Sequence, residues 1–570
     1  WTAFQGTEPE AVPVELIGIW RNAWGPRQDL ILCRMEGRAK ETGVAGGMSG
    51  SPVYIDGKLV GAVSNRVGAF TKEAICGITP IELMLEINDF DWSRPSDARV
   101  PGSQTTQRAA RAIPSEVLAQ AVSAGASQEL STHALLQPID TPLLFSGFSE
   151  NVLREFGPLF RQLGVHPVQG GASGALQQVT PAKDWKDALQ PGDPIAGVLV
   201  SGDMSVTALG TTTYNDGKRV LGFGHQFLNL GPVDIPMAKG EVLLVLGSSF
   251  QPVKLANATE VVGALKQDRH SGILGELGAT SEMIPVSLKV RTFGDNNQVK
   301  REKDLRFNVF VEQKWTPYLM MATLFNSVST INDFAEEATY RLSGDIELEG
   351  QPNISLQTML APGEVPMPAP MILAGWWGDK FNKLFGNAVK VPRLKRVNAV
   401  VDLLPQRRVA SVENAWVADP QVEPGTEVPV KVYLRPYRGE RIEREIKLKI
   451  PAGLPKGEHR ILVSDGDTLT RFQSMAAFAN RYIDLSETVS MLNQERSNNK
   501  LYVSLVQSRP TFYDDDKIMP SLPASAVNVM QASRASNRPF VSSGESATVQ
   551  ESIPFEYVIS GSQSVRITVR

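Results

Sequence analysis

The sequence predicts a mainly β protein with helical insertions, closing in a C-terminal β-sandwich-like module. Short runs of apolar and β-branched residues, separated by Gly, Pro and Asp turns, recur through residues 1–90, 190–315 and from 391 onward. Helical spacing is confined to a few stretches between them, and the sequence carries no tandem repeat at a solenoid period. At roughly 150 residues per domain, the 570 residues accommodate three or four domains.

In chain order, residues 1–92 are strand-rich. VPVELIGIW, DLILCRM, SPVYID and KLVGAVS read as strands, and TPIELMLEI (79–87) as a helix with Thr79 as N-cap and Pro80 at the first position. Residues 93–189 read as a linker and helical segment, with helices at PSEVLAQAVSAG and at 149–164, the latter capped by Ser149. Residues 190–315 are β-rich again, and YNDGKR marks a hairpin. Residues 316–390 read as helical in two stretches, around YLMMATLFNSV and ILAGWWGDKFNKLFGNAV. The second is amphipathic, and is expected to pack on its own protein rather than on a membrane surface. Residues 391–570 alternate over short strands, with a helix at TVSMLNQERS.

Composition narrows the function. Hydrophobic residues make up 42% and charged residues 21%, which excludes wholesale disorder. The net charge is −4 with no basic block, so neither nucleic acid nor an anionic membrane surface is an expected partner. No apolar run reaches the roughly 18–20 residues of a membrane span. The chain opens at WTAFQGTEPE without a charged n-region or apolar h-region, so an export signal, if used, is expected to have been removed. Two cysteines, Cys33 and Cys76, make neither a disulfide framework nor a zinc site. Both lie in apolar contexts and read as small core residues, a single disulfide being the alternative.

The stretch with chemical character is AGGMSGSPVYIDGKLVG, residues 45–61. A serine between glycines at a tight turn can expose its hydroxyl while neighbouring N–H groups converge on one spot, which suits a nucleophile with an oxyanion hole. Ser49 is a better candidate than Ser51, because Gly47 and Gly50 flank it. The structural alternative is an ordinary Gly/Ser turn before a strand. A serine needs a base, and the histidines are His133, His166, His225, His270 and His459. His225, in VLGFGHQFLNLG, sits among glycine and aromatic residues at a predicted strand end. Pairing it with Ser49 requires two separate β-rich stretches to dock. Asp203, Asp234 and Asp268 read as turn or surface acids. No His/Cys/Asp/Glu cluster has metal-ligand spacing, and the glycine runs QGGASGA and LGELGA lack the Lys-Ser/Thr of a phosphate loop, so no metal or cofactor is expected.

ETGVAGGMSGSPVYIDGKLVGAVS followed by ITPIELML resembles the serine half of the SpoIVB peptidase family, and ALGTTTYNDGKRVLGFGHQF followed by RHSGILGELG resembles its histidine half. The resemblance covers roughly residues 1–90 and 190–290, and VEPGTEVPVKVYLRPYRGE resembles the C-terminal part of longer envelope relatives. It implies a chymotrypsin-like double β-barrel in swapped chain order, with a serine-bearing half at 1–92 and a histidine-bearing half at 190–315. It implies Ser49 as nucleophile, His225 as general base, and the N–H groups of Gly47 and Ser49 as the oxyanion hole. The family's upstream Asp has no counterpart here, which leaves Asp29 and Glu36 as candidates to orient His225. Gln226 stands where relatives often carry Pro. The implied activity is a serine endopeptidase acting on protein or peptide substrates, periplasmic or secreted, with an envelope protein as a further partner. The competing reading is a protease-like scaffold that binds or supports envelope proteins without catalysis.

Overall fold

VELIGIWRNAWG and QDLILCRM pair as an antiparallel hairpin, Val14–Gly25 against Gln28–Met35. The hairpin begins a sheet continued by Ile75–Pro80 and Lys58–Val67, with Pro52–Ile55 on the latter strand. This computed structural model describes the chain outside residues 68–72, 95–110, 118, 120–134, 163–164, 171–175, 177, 249–250, 332–336, 364–366, 388–389, 474–483, 508–510, 515–516, 521–522, 524, 527, 530–540 and 544. The protein is mainly β, and it divides into two compact units: Trp1–Pro285 with Arg306–Asn326, and Val286–Leu305 with Ser327–Arg570.

In the first unit the sheet described above buries one core of Phe4, Met35, Met48, Val53, Val63 and Ile78. Cys33 and Cys76 face each other across neighbouring strands of this sheet as buried free thiols, not a disulfide. Burial pushes the Cys33 thiol up to about 12. A second group of strands is built around Pro194–Gly202, Ser205–Asn215 and Arg219–Gly222, with the long pair Gly231–Leu246 and Val253–Arg269 and the strand Gly272–Leu277. The YNDGKR hairpin forms as expected. Asn215 Oδ1 accepts from the Gly217 N–H, and Asp216 Oδ1 accepts from the N–H groups of Lys218 and Arg219.

Residues 93–189 do more than link. Leu135–Pro138 pairs with the serine-side strand Lys58–Val67, whereas Thr141–Ser146 pairs with Ser205–Asn215. The following helix, Glu150–Gln162, buries Val152, Phe156 and Phe160 along one face. Its expected cap is absent: among the described residues the buried Ser149 hydroxyl has no hydrogen-bond partner, and the Ser149 N–H donates to Asn326 Oδ1. The expected helix at PSEVLAQAVSAG lies largely outside the described residues.

The two β-rich parts of this unit dock through a small apolar cluster. Ala62, Ile81, Met84 and Ile87 from the serine side pack against Leu221 and Leu274 from the histidine side. Burying each large side chain of this set contributes about 1.5–3 kcal/mol, beside backbone bonds between the same two parts such as Thr211 N–H to Ser49 O.

Residues 316–390, which begin in the first unit and continue in the second, differ from the helical expectation. Strands Thr339–Leu348 and Ile354–Leu360 lie between the helices Trp315–Ser329 and Ala369–Phe385. The strand Leu394–Leu404 pairs with Thr339–Leu348, so the last sheets begin only after it. Beyond residue 405, a four-stranded sheet around Glu427–Pro436 and a five-stranded sheet around Gly457–Ser464 contribute to one core. Glu427–Pro436 places Val428, Val430, Val432 and Leu434 on its inner face, the alternation expected of a sheet with one wet side. The predicted helix near 488 is present as Leu485–Asn493, with Asp484 and Glu487 forming a capping box. No helix among the described residues is long and apolar enough to cross a membrane.

Candidate active site

The Gly46–Ser51 turn is specified almost atom by atom. The Gly46 carbonyl accepts from the Lys254 N–H (2.9 Å), and the Gly47 carbonyl accepts from Thr211 Oγ1 (2.9 Å). Met48 O accepts from the N–H and the hydroxyl of Ser51 (3.0 and 2.6 Å). Ser49 O accepts from the Thr211 N–H (2.8 Å), and Gly50 O from Thr213 Oγ1 (2.7 Å). Gly47 and Gly50 hold φ of 90° and 95°. A Cβ at Gly50 would fall 1.9 Å from Thr211 O and 2.4 Å from Phe223 N, so no side chain fits there.

What this scheme leaves over is the chemistry. Among the described residues the peptide bonds are trans, so a carbonyl held on one side turns the N–H of the same peptide to the other. With Gly46 O and Met48 O both engaged, the N–H groups of Gly47 and Ser49 face away from those acceptors. Among the described residues neither N–H donates a hydrogen bond. The Ser49 hydroxyl is likewise buried without a partner, whereas the Ser51 hydroxyl is engaged by Met48 O. The turn thus distinguishes its two serines.

The histidine turn follows directly on Arg219–Gly222. Phe223 and Gly224 adopt φ of 65° and 64°. The Phe223 N–H donates to Thr211 O (3.3 Å), and Gly224 O accepts from the Thr79 hydroxyl (2.7 Å). Thr79, expected as a helix cap, instead lies within the strand Ile75–Pro80 and ties the serine sheet to this turn; the short helix Ile81–Leu85 has no side-chain cap. His225 Nδ1 lies 2.7 Å from Gln226 O. A carbonyl only accepts, so Nδ1 carries the proton, and a neutral ring then has its lone pair on Nε2.

Asp268 governs the next few residues. Its carboxylate accepts from the N–H groups of Phe227 (2.7 Å), Leu228 (2.7 Å) and Leu230 (3.2 Å). It stands near the end of Val253–Arg269, paired with Gly231 and Ile273. A buried carboxylate satisfied by three backbone donors fixes the loop on which His225 begins.

Of the expected site residues, Ser49, Gly47 and His225 are brought onto adjoining turns. Asp29 and Glu36 are not. Asp29 Oδ1 accepts from the Asn22 N–H at the first hairpin, and Glu36 pairs with Lys40 one helical turn on (3.3 Å). Each carboxylate is held by its own local turn, which corrects the expectation that one of them orients His225. His270 packs edge-on to Trp24, and His459 Nε2 meets Pro455 O. His133 lies outside the described residues. Asp203 and Asp234 serve backbone N–H groups, of Arg306 and Glu282 respectively.

Sequence reasoning passed over Thr211 and Thr213, and it read Asp268 as a turn or surface acid. The one available signal for the threonines was the run TTTY directly before the hairpin. The site is closed: Ser49 is 0% exposed and His225 4%, and Ser49 Oγ makes no hydrogen bond to the imidazole or to any other described residue. The chain matches no protein-family model, no curated protein and no solved structure.

Proposed function

We propose that this chain is a serine endopeptidase of the cell envelope, held here in a closed state, with Ser49 as nucleophile and His225 as general base. The observation that carries the reading is the Gly46–Ser51 turn. Its carbonyls are engaged one by one, while two backbone N–H groups and one alcohol are left unpartnered beside the turn that bears His225. In the mechanism this supports, Ser49 Oγ attacks a peptide carbonyl as His225 Nε2 takes its proton. The N–H groups of Gly47 and Ser49 hold the oxyanion, the imidazolium returns the proton to the leaving amine, and water hydrolyses the acyl-enzyme. The Gln226 carbonyl at Nδ1 supplies the tautomer that an acid supplies in a triad, and Asp268 acts as a positioning residue for the loop.

The fold implied by the resemblance to SpoIVB peptidases is part of this proposal. The serine strands preceding the histidine strands fit a double barrel in swapped order, and the two sheets sharing a core after residue 405 fit a sandwich-like module. Protein or peptide substrates and an exported, periplasmic or secreted location follow from the same resemblance.

One observation favours the second reading, a protease-like scaffold without catalysis. A nucleophile that is 0% exposed and not bonded to its base cannot act until the turn is uncovered. Labelling with a fluorophosphonate probe, before and after limited proteolysis, separates the two. The peptidase reading expects label on Ser49, lost in Ser49→Ala, reduced in His225→Ala and kept in Ser51→Ala. Absence of label on both native and clipped protein defeats it and leaves the scaffold.

A further inference from the structure

Phe90 and Trp92 stand almost wholly in solvent, at 88% and 77% exposure, on a loop that is tightly held. Asn88 Oδ1 accepts from the Phe90 N–H (3.0 Å), Asp91 Oδ1 accepts from the Ser93 N–H (3.0 Å), and Asn88 Nδ2 donates to Glu86 O (3.1 Å). Gln267 Nε2 donates to Asp91 O (3.2 Å), and Arg269 donates to the carbonyls of both Asp91 and Ser93 and to Ser93 Oγ. Arg269 also pairs with the Asp91 carboxylate (3.2 Å). Gln267 and Arg269 share one face at the end of the strand Val253–Arg269, on either side of Asp268, which holds the histidine loop. Ile81, Met84 and Ile87 seat the residues before the loop in the apolar cluster.

Fixing a surface loop this closely costs chain entropy, and two large rings left in water do not stabilise the fold. Rings displayed on a pre-organised backbone suit association instead, where they bury a large area with little further ordering. Their surroundings give the sign of the partner. From Glu82 to Arg94 the chain carries Glu82, Glu86, Asp89 and Asp91 against Arg94. Arg269 matches Asp91, whereas Glu82, Glu86 and Asp89 are exposed and enter no ion pair among the described residues. Aromatic ring faces attract cations as well, and among the described residues no cation stacks on Phe90 or Trp92.

We propose that the Phe90–Trp92 loop is a docking surface for a basic protein segment, one that sets lysine or arginine beside apolar side chains. The apolar side chains pack on the two rings, and the cations meet the ring faces and the carboxylates of Glu86 and Asp89. The same carboxylates disfavour an anionic lipid surface. The docking is independent of the peptidase reading, since it uses neither Ser49 nor His225.

The test selects peptides from a random dodecapeptide phage library on the full chain, after subtraction on the double variant Phe90→Ser, Trp92→Ser. Both side chains lie in solvent, so this variant should match the parent in thermal unfolding. The expected survivors are rich in Lys or Arg interspersed with aromatic or aliphatic residues. A synthetic consensus peptide should bind the chain in fluorescence anisotropy, less tightly as salt rises. Binding should weaken about tenfold or more in the double variant, and also fall in Glu86→Gln combined with Asp89→Asn. No survivors, an acidic or uncharged consensus, or unchanged binding by the double variant overturns the proposal. Pelleting with phosphatidylcholine or phosphatidylglycerol vesicles that the double variant loses overturns it in favour of lipid. A dimer in sedimentation equilibrium that the double variant abolishes overturns it in favour of a second copy. Labelling of Ser49 bears on none of these outcomes.

Discussion

Thr211 donates its N–H to the carbonyl of Ser49 at 2.8 Å, and on its own carbonyl it accepts from Phe223, two residues before His225. One strand residue therefore sets the spacing of the serine and histidine turns. Replacing it with the isosteric Val keeps both backbone bonds and removes only Oγ1, leaving Gly47 O buried without its donor. Thr211→Val should lose about 1–3 kcal/mol of stability in chemical denaturation and lower fluorophosphonate labelling of Ser49.

Gly50 admits no side chain. Gly50→Ala drives a Cβ into Thr211 O at 1.9 Å in a backbone that already requires positive φ. The loss should be about 3 kcal/mol or more. Gly57→Ala is the control: its φ is also positive, at 75°, but nothing lies within 4 Å, so thermal unfolding should register only about 1–2 kcal/mol.

Asp268→Asn keeps the shape of the side chain but sets an amide N–H₂ against backbone N–H donors. Two of the three loop bonds rest on one oxygen, Oδ2, and lose their acceptor when the amide nitrogen takes that place. A drop of about 2–4 kcal/mol is expected, with weaker labelling of Ser49 at a pH where the variant is still folded. Asp203→Asn, at an exposed bond to the Arg306 N–H, should leave labelling unchanged.

Lys254 makes stability depend on pH. Its folded value of about 7 lies below the ordinary lysine value, so between about pH 7 and 10.5 the unfolded chain binds the extra proton. Stability from this group therefore rises with pH across that window, by up to about 1.4 kcal/mol per pH unit, and is flat below it. Subtracting the profile of Lys254→Met, measured by denaturant titration, isolates the slope; identical profiles for the two proteins refute a neutral buried amine.

Cys33 and Cys76 should be silent to Ellman's reagent in the native protein and release two thiols on denaturation without reductant. Release of none after denaturation would show a disulfide.

Much was legible locally. Alternating strands, the YNDGKR hairpin, the helix near 488 and the glycine pattern around Ser49 all follow from residue-scale preferences for φ, period and turn chemistry. Within this chain's own residues, only Gly satisfies positions 47 and 50, and that constraint is visible as composition. Which groups meet the two turns was not legible, because Thr211 and Lys254 reach the serine turn, and Thr79 and Asp268 the histidine turn and its loop, from distant strands, and hydrogen bonds between strands leave no period in the sequence. Asp29 and Glu36 lay near Ser49 in sequence and were captured by their own turns. The acids, hydroxyls and amine were set by tertiary packing, since burial, not adjacency, decides which polar groups must find one another.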